Sequence, residues 1–236
     1  MGRAFEYRKA AKLKRWGNMA RVFTRVGKQI AIAVKAGGPD PDTNSHLRAI
    51  IANAKRENMP KDNIERAIKN AMGKDQKDYK EVTYEGYGPF GIAVFVDAAT
   101  DNTTRTVANV RSYFNKCGGS LVPTGSLEFM FSRKAVFELE LPEGMDVEEI
   151  ELELIDAGLE EIEATEEGVV ALSDWTAFGT MQTALEKLGI NVKKANLQRF
   201  PNSPVAFSAE DVEAIEKFLE KVEDDEDVQS VYTNME

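Results

Sequence analysis

The chain has almost none of the residues that carry thiol, redox or metal chemistry. Its 236 positions hold one cysteine, Cys117, and one histidine, His46. That excludes an intrachain disulfide, a CxxC redox pair and a Cys/His zinc cluster, and the two are too far apart in sequence for a local Cys–His nucleophile. Cys117 continues the stripe Val107, Val110, Phe114, so it is expected as a packed apolar residue. His46 follows Ser45 at an expected helix start and is read as exposed. No apolar run approaches the roughly 18 to 20 residues that span a bilayer. The N-terminus has no apolar signal core and no serine before Ser45, and Glu6 stands where myristoylation needs Ser or Thr. The expected location is the cytoplasm, with no membrane partner.

Basic residues are also missing over a long stretch, with none between Lys134 and Lys187. They gather instead at the start. Residues 1–74 hold 17 Lys+Arg against 6 Asp+Glu, a net charge of +11, whereas residues 75–236 hold 13 against 34, a net charge of −21. Such a division predicts separate parts with opposite electrostatic roles.

The basic part reads as helical. Val22, Phe23, Val26, Ile30, Ala33 and Val34 recur with a 3.6-residue period, while Arg21, Arg25, Lys28 and Lys35 line another face. Arg8, Lys12 and Arg15 do the same one segment earlier, with Lys9 and Lys14 beside them. The segment "AGGPDPDT" (36–43) breaks the helix. A further helix with Leu47, Ile50, Ile51 and Ala54 inward follows, then one opened by Pro60 with Ile64, Ala67, Ile68 and Ala71. Trp16 suits either core packing or stacking on a base, and a helix-turn-helix over 45–72 is open.

From about residue 79 the pattern becomes α/β. "KEVTYE" and "GIAVFVDAA" read as strands, "DNTTRTVANVRSYFNKCGG" as a helix capped by Asp101 or Asn102 and stopped by Gly118, and "SLEFMF" as another strand. Strand "AVFELEL", helix 146–157, strands around 159–172, helix 175–188 and strand "NVKKANLQRF" then give a β-α-β-β-α-β order, which is ferredoxin-like. Helix 208–222 and strand "VQSVYT" would complete the first α/β set, making the acidic set an insertion. The expected fold class is α+β: a helical bundle, then two ferredoxin-like α/β domains, one inserted into the other. The expected boundaries are 1–76, 77–133 plus 203–236, and 134–202.

Motifs for chemistry are weak. "GYGPFG" fits G-x-G-x-x-G, but a strand rather than a helix follows it, so it is read as a hairpin turn. Phe90-Gly91 and Phe95 fall in register with the RNA-recognition octamer, yet Gly88 and Pro89 replace its basic residue and glycine, and Phe95 is read as core. Asn102, Thr103 and Arg105 form a polar helix entrance that could meet an anion, with Asp101 competing for the same donors. The acidic tract 138–167 reads as a solvated face or as a surface repelling phosphate. No carboxylate pair has an acid–base or metal context. The chain is therefore expected to be no enzyme, with no metal and no cofactor.

The stretches "RKAA" (8–11), "GGPDPDTNSHLRAII" (37–51), "NMPKDNIERAIK" (58–69), "YEGYGPFGIAVFVDAATDNTTRT" (84–106), "GSLEFMF" and "DVQSVYTNME" resemble the YebC/PmpR family, which includes the mitochondrial translational activator of cytochrome oxidase. The resemblance runs over essentially the whole chain. It implies three domains, no catalytic activity and either DNA-binding transcriptional regulation or association with ribosomes. The opening "MGRAFEYRKAA" departs from the family's glycine-histidine-serine-lysine-tryptophan start, so basic residues carry over only from Arg8 onward.

Stripes of Lys and Arg attract a polyanion by counterion release without reading its sequence. The expected nucleic-acid contacts are Arg8, Lys9, Lys12, Lys14, Arg15, Arg21, Arg25, Lys28, Lys35, Arg48, Lys55, Lys61, Arg66 and Lys69. The partner is expected to be DNA or ribosomal RNA, with the ribosome as an alternative. A protein-interaction module whose acidic part docks a basic partner is the second alternative.

Overall fold

The helical period of residues 19–35 is realised as α1 (Met19–Gly37), with Val26, Ile30, Ala33 and Val34 buried along it. The computed structural model describes residues 19–73, 77–142, 144–165 and 168–236. Helices α2 (Ser45–Arg56) and α3 (Lys61–Ala71) follow, then strands β1 (Lys80–Tyr87) and β2 (Ala93–Thr100), helix α4 (Thr103–Lys116) and strand β3 (Ser120–Val122). Strand β4 (Phe131–Glu140), helix α5 (Val147–Ile155), strands β5 (Leu159–Thr165) and β6 (Gly168–Asp174), helix α6 (Phe178–Lys187) and strand β7 (Asn191–Pro201) come next. Helix α7 (Ala209–Glu223) and strand β8 (Val228–Thr233) end the chain. The contacts group into two units. Among the described residues, one comprises those up to Ile32, Gly73–Ser132 and Phe200–Glu236; the other comprises Ala33–Met72 and Arg133–Arg199.

In the first unit the sheet order is β3-β1-β2-β8. Strands β1 and β2 form an antiparallel hairpin across "GYGPFG", with Tyr87 opposite Ala93, and Phe90 at φ 59° in the turn. Strand β8 lies antiparallel beside β2, Val231 opposite Val96. The last helix and strand thus complete a sheet begun more than a hundred residues earlier, as the interrupted pattern predicts. Ile92, Val94 and Val96 pack with Val110 and Phe114 of α4 and Ile215, Phe218 and Leu219 of α7, where the Phe114 and Phe218 rings meet edge to face at 5.0 Å. Cys117 is partly buried against the same core. Gly118, at φ 76°, supplies the left-handed residue that ends α4. A side chain at Gly86 would lie 2.6 Å from both the Phe114 ring and the Ser120 carbonyl, so β1 needs glycine there.

The segment "SLEFMF" is not a strand. Buried Glu85 accepts hydrogen bonds from the Gly125 and Leu127 amides at 2.6 and 2.7 Å, bending this loop into a short 3₁₀ turn over Glu128–Met130. Only Phe131 belongs to the following strand.

In the second unit the order is β5-β6-β4-β7, with β4–β6 and β5–β6 antiparallel, the ferredoxin-like arrangement expected from the element order. Phe137, Leu139, Ile150, Leu154, Ala171, Met181 and Leu185 fill its core, and Ala49 of α2 joins them. Asn53 fixes α2 to the strand β7. Its Nδ2 donates to the Ala195 carbonyl at 2.7 Å, and its Oδ1 accepts from the Ala195 amide at 3.2 Å.

Candidate nucleic-acid interface

The cations of α1 face an acidic turn. Arg21, Arg25 and Lys28 stand at positions i, i+4 and i+7, and Glu223 to Asp227 close α7 opposite them. Arg21 pairs with Asp224, and Arg25 donates to the Glu223 carbonyl. Burial lowers the pKa of the Arg25 guanidinium, partly offset by nearby Glu223. Lys28 is buried. Its ammonium donates to the Glu226 carbonyl and to Asp227 Oδ1, both at 2.7 Å, and lies 5.5 Å from the centre of the Tyr79 ring.

Asp227 is the hub. Its other oxygen accepts from Arg105 Nη2 and Thr106 Oγ1 at 2.7 Å each, with Thr100 Oγ1 at 3.2 Å. Burial alone would raise its pKa, but the bonds from Lys28, Arg105 and Thr106 prevail and hold it down at about 2. Asp225 lies alongside, accepting from Asn109 and the Tyr113 hydroxyl at 3.0 Å each. Burial and then that bond push Tyr113 up to about 12.

At the entrance to α4, Asn102 is the cap, its Oδ1 accepting from the Arg105 amide at 3.0 Å. Asp101 turns to Arg105 at 2.9 Å and to Lys77 at 3.2 Å, which hold its carboxyl below the usual range. Thr103 is exposed. The structure therefore brings Asn102 and Arg105 together, but the side chain of Arg105 is bonded to Asp227 and Asp101.

In the second unit the cations are differently placed. "GGPDPDTN" is a locked turn: buried Asn44 caps the Leu47 amide at 3.0 Å while its Nδ2 donates to the carbonyls of Ala33 and Gly38. Arg48 donates to the Pro41 carbonyl at 3.2 Å and pairs with Glu186 at 3.0 Å. Lys61 pairs with Glu65 at 3.5 Å with both side chains well exposed. Lys55, Arg66 and Lys69 are exposed on α2 and α3 and make no ion pair among the described residues; Lys35 is exposed at the end of α1. Arg8, Lys9, Lys12, Lys14, Arg15 and Trp16 lie outside the described residues.

The anchoring of α1 was missed from sequence, although a signal was present. The run Glu223-Asp224-Asp225-Glu226-Asp227 ends a helix with five carboxylates in a row, a complement for a cationic stripe.

Residues 3–74 match the TACO1/YebC protein N-terminal domain, and residues 79–235 match the TACO1/YebC second and third domain. The chain belongs to the TACO1/YebC family. Among its relatives, a "probable transcriptional regulatory protein" of Bacteroides fragilis is 64% identical over 236 residues, covering 100% of this chain and 96% of the relative. A protein of the same description from Wolinella succinogenes is 57% identical over 238 residues, with 100% of both chains covered. The crystal structure of a conserved hypothetical protein from Aquifex aeolicus superposes with a TM-score of 0.78 at 36% identity, covering 94% of this chain and 92% of that one. Among the described residues, no helix of this family member is long and apolar enough to cross a membrane.

Proposed function

We propose that the chain is a non-catalytic regulator of gene expression that binds nucleic acid, duplex DNA in the first place, through α2 and α3. The observation that carries this is the exposure of Lys55, Arg66 and Lys69 without acidic partners among the described residues, in a chain whose net charge is −10. Lys61 adds to them, because an exposed i,i+4 pair with Glu65 is easily given up to a phosphate. The names of the relatives support regulation of transcription. The non-catalytic reading is supported by the groups with displaced acidity around Asp227, which are held by fixed intramolecular bonds.

The test is fluorescence anisotropy with duplex DNA and with a structured RNA hairpin, between about 50 and 200 mM salt. The parent is expected to bind DNA with an affinity that falls steeply with salt. The triple variant Lys55→Glu/Arg66→Glu/Lys69→Glu should lose about tenfold or more, with a salt slope lower by about 2 to 3. Unchanged binding by that variant overturns the assignment to α2 and α3. A clear preference for the hairpin moves the target from DNA to RNA.

A further inference from the structure

Helix α5 has two apolar sides. Ile150 and Leu154 are buried in the core of the second unit, so the helix already has its inward anchor. Leu152 and Ile155 point the other way and are 72% and 53% exposed. Three residues apart, they are neighbours on the helix surface. Glu148 and Glu149 precede Leu152 by four and three positions, and Asp156 follows it by four, so carboxylates surround the apolar pair. Glu148, Glu149, Glu151, Glu153 and Asp156 are exposed and make no ion pair among the described residues. No lysine or arginine lies within the 52 intervening residues between Lys134 and Lys187.

We infer that this outer face of α5 docks a cationic amphipathic helix of another protein. Its aliphatic side chains would cover Leu152 and Ile155, and its lysines or arginines would meet the ring of carboxylates. A face built only for solvation has no use for a leucine at its centre. The charge selects the occupant. A phosphate backbone or an anionic lipid surface would be repelled, and a second copy presenting its own α5 would set carboxylate against carboxylate. An apolar anchor within a charged rim is the ordinary way an amphipathic helix is recognised. This surface shares no residue with α2 or α3, so it can be tested without reference to nucleic acid.

The probe is a synthetic helical peptide of leucine and lysine with one apolar face, titrated into the full chain by calorimetry and followed by amide chemical shifts. The control peptide has the same composition, scrambled so that the face is lost. The amphipathic peptide is expected to shift amides of Val147–Ile155 and to bind about tenfold more tightly than the scrambled one. Leu152→Ser/Ile155→Ser should weaken it about tenfold, and Glu148→Gln/Asp156→Asn should flatten its salt dependence. Both pairs are exposed, so circular dichroism should be unchanged in each variant. The inference is overturned by equal binding of the two peptides, by shifts confined to other elements, or by undiminished binding to Leu152→Ser/Ile155→Ser. Sedimentation showing self-association of the parent that this variant loses would replace the foreign helix with a second copy.

Discussion

Within the first 74 residues, the cations of α1 and those of α2 and α3 meet different surroundings. Arg21, Arg25 and Lys28 are taken up by the turn that follows α7, and Lys28 is buried there. Lys55, Arg66 and Lys69 stay exposed. One kind of residue thus serves attachment in α1 and stays open to solvent at Lys55, Arg66 and Lys69. Sequence periodicity cannot separate these roles, because a cationic stripe has the same spacing whether it faces phosphate or carboxylate.

The largest effect expected from disturbing this contrast is at Asp227. Asp227→Ala removes the acceptor shared by Lys28, Arg105 and Thr106 and leaves a buried ammonium with the Glu226 carbonyl as its one hydrogen-bond acceptor among the described residues. Breaking one side of a buried pair costs about 3 to 5 kcal/mol, which urea unfolding would register as a lower midpoint. Lys28→Met/Asp227→Leu should be less destabilised than either single substitution, because no buried charge is then left without a partner. Lys55→Ala, Arg66→Ala and Lys69→Ala should each stay within about 0.5 kcal/mol of the parent. If Asp227→Ala proves as stable as the parent, α1 is not held by this cluster.

Acid should separate the two regions next. Asp227 has a folded pKa of about 2, below the value of about 3.9 expected when unfolded. Between those values the unfolded chain binds the proton and the folded chain does not, so stability rises with pH. The contribution, about 2 to 3 kcal/mol, is fully present above the unfolded value and is lost as the pH falls through the window from about 4 to 2. The difference in stability between the parent and Asp227→Asn should therefore shrink across that window. A difference independent of pH there would remove the carboxylate from the account.

Helix α2 offers the neutral counterpart, since Asn53 bonds both polar atoms of the Ala195 backbone. Asn53→Ala should cost about 1 to 3 kcal/mol through the groups it leaves without partners. It should speed hydrogen exchange at the Ala195 amide, and to the same extent at neutral and acid pH. An effect that grew in acid would mean that the ion pairs of α2, such as Arg48 with Glu186, share this load.

The fold was largely legible because its determinants are local and periodic. The strands around "GYGPFG", the helix ended by Gly118 and the β-α-β-β-α-β order are all realised, and the unfinished first sheet foretold its completion by α7 and β8. The loop at 125–130 was not legible, because what shapes it is a carboxylate forty residues away, Glu85, binding two of its amides. The surroundings of the cations were hidden for the same reason. The partner of Lys28 is 199 positions distant, and nothing in the spacing of α1 names it. Asn44 and Asn53 also read as ordinary polar residues until the backbone groups that they bind are known.

The smallest effect on stability is expected at Lys61, which makes it the sharpest contrast with Lys28. Both are lysines in helices, each within reach of one carboxylate: Lys28 at 2.7 Å from Asp227, Lys61 at 3.5 Å from Glu65. Solvent decides the difference. The Lys61 and Glu65 side chains are 83% and 62% exposed, so water screens the pair and its contribution is about 0.5 kcal/mol or less. Lys61→Ala should leave the unfolding midpoint nearly unmoved and lower the salt slope for nucleic acid by about 1, the loss of a single phosphate contact. Lys28→Ala should reverse that pattern, with a large loss of stability and, in the fraction that stays folded, an unchanged slope. An unchanged slope in Lys61→Ala would place the interface away from the start of α3. A reduced slope in folded Lys28→Ala would show that α1 lets go of Asp227 when nucleic acid binds.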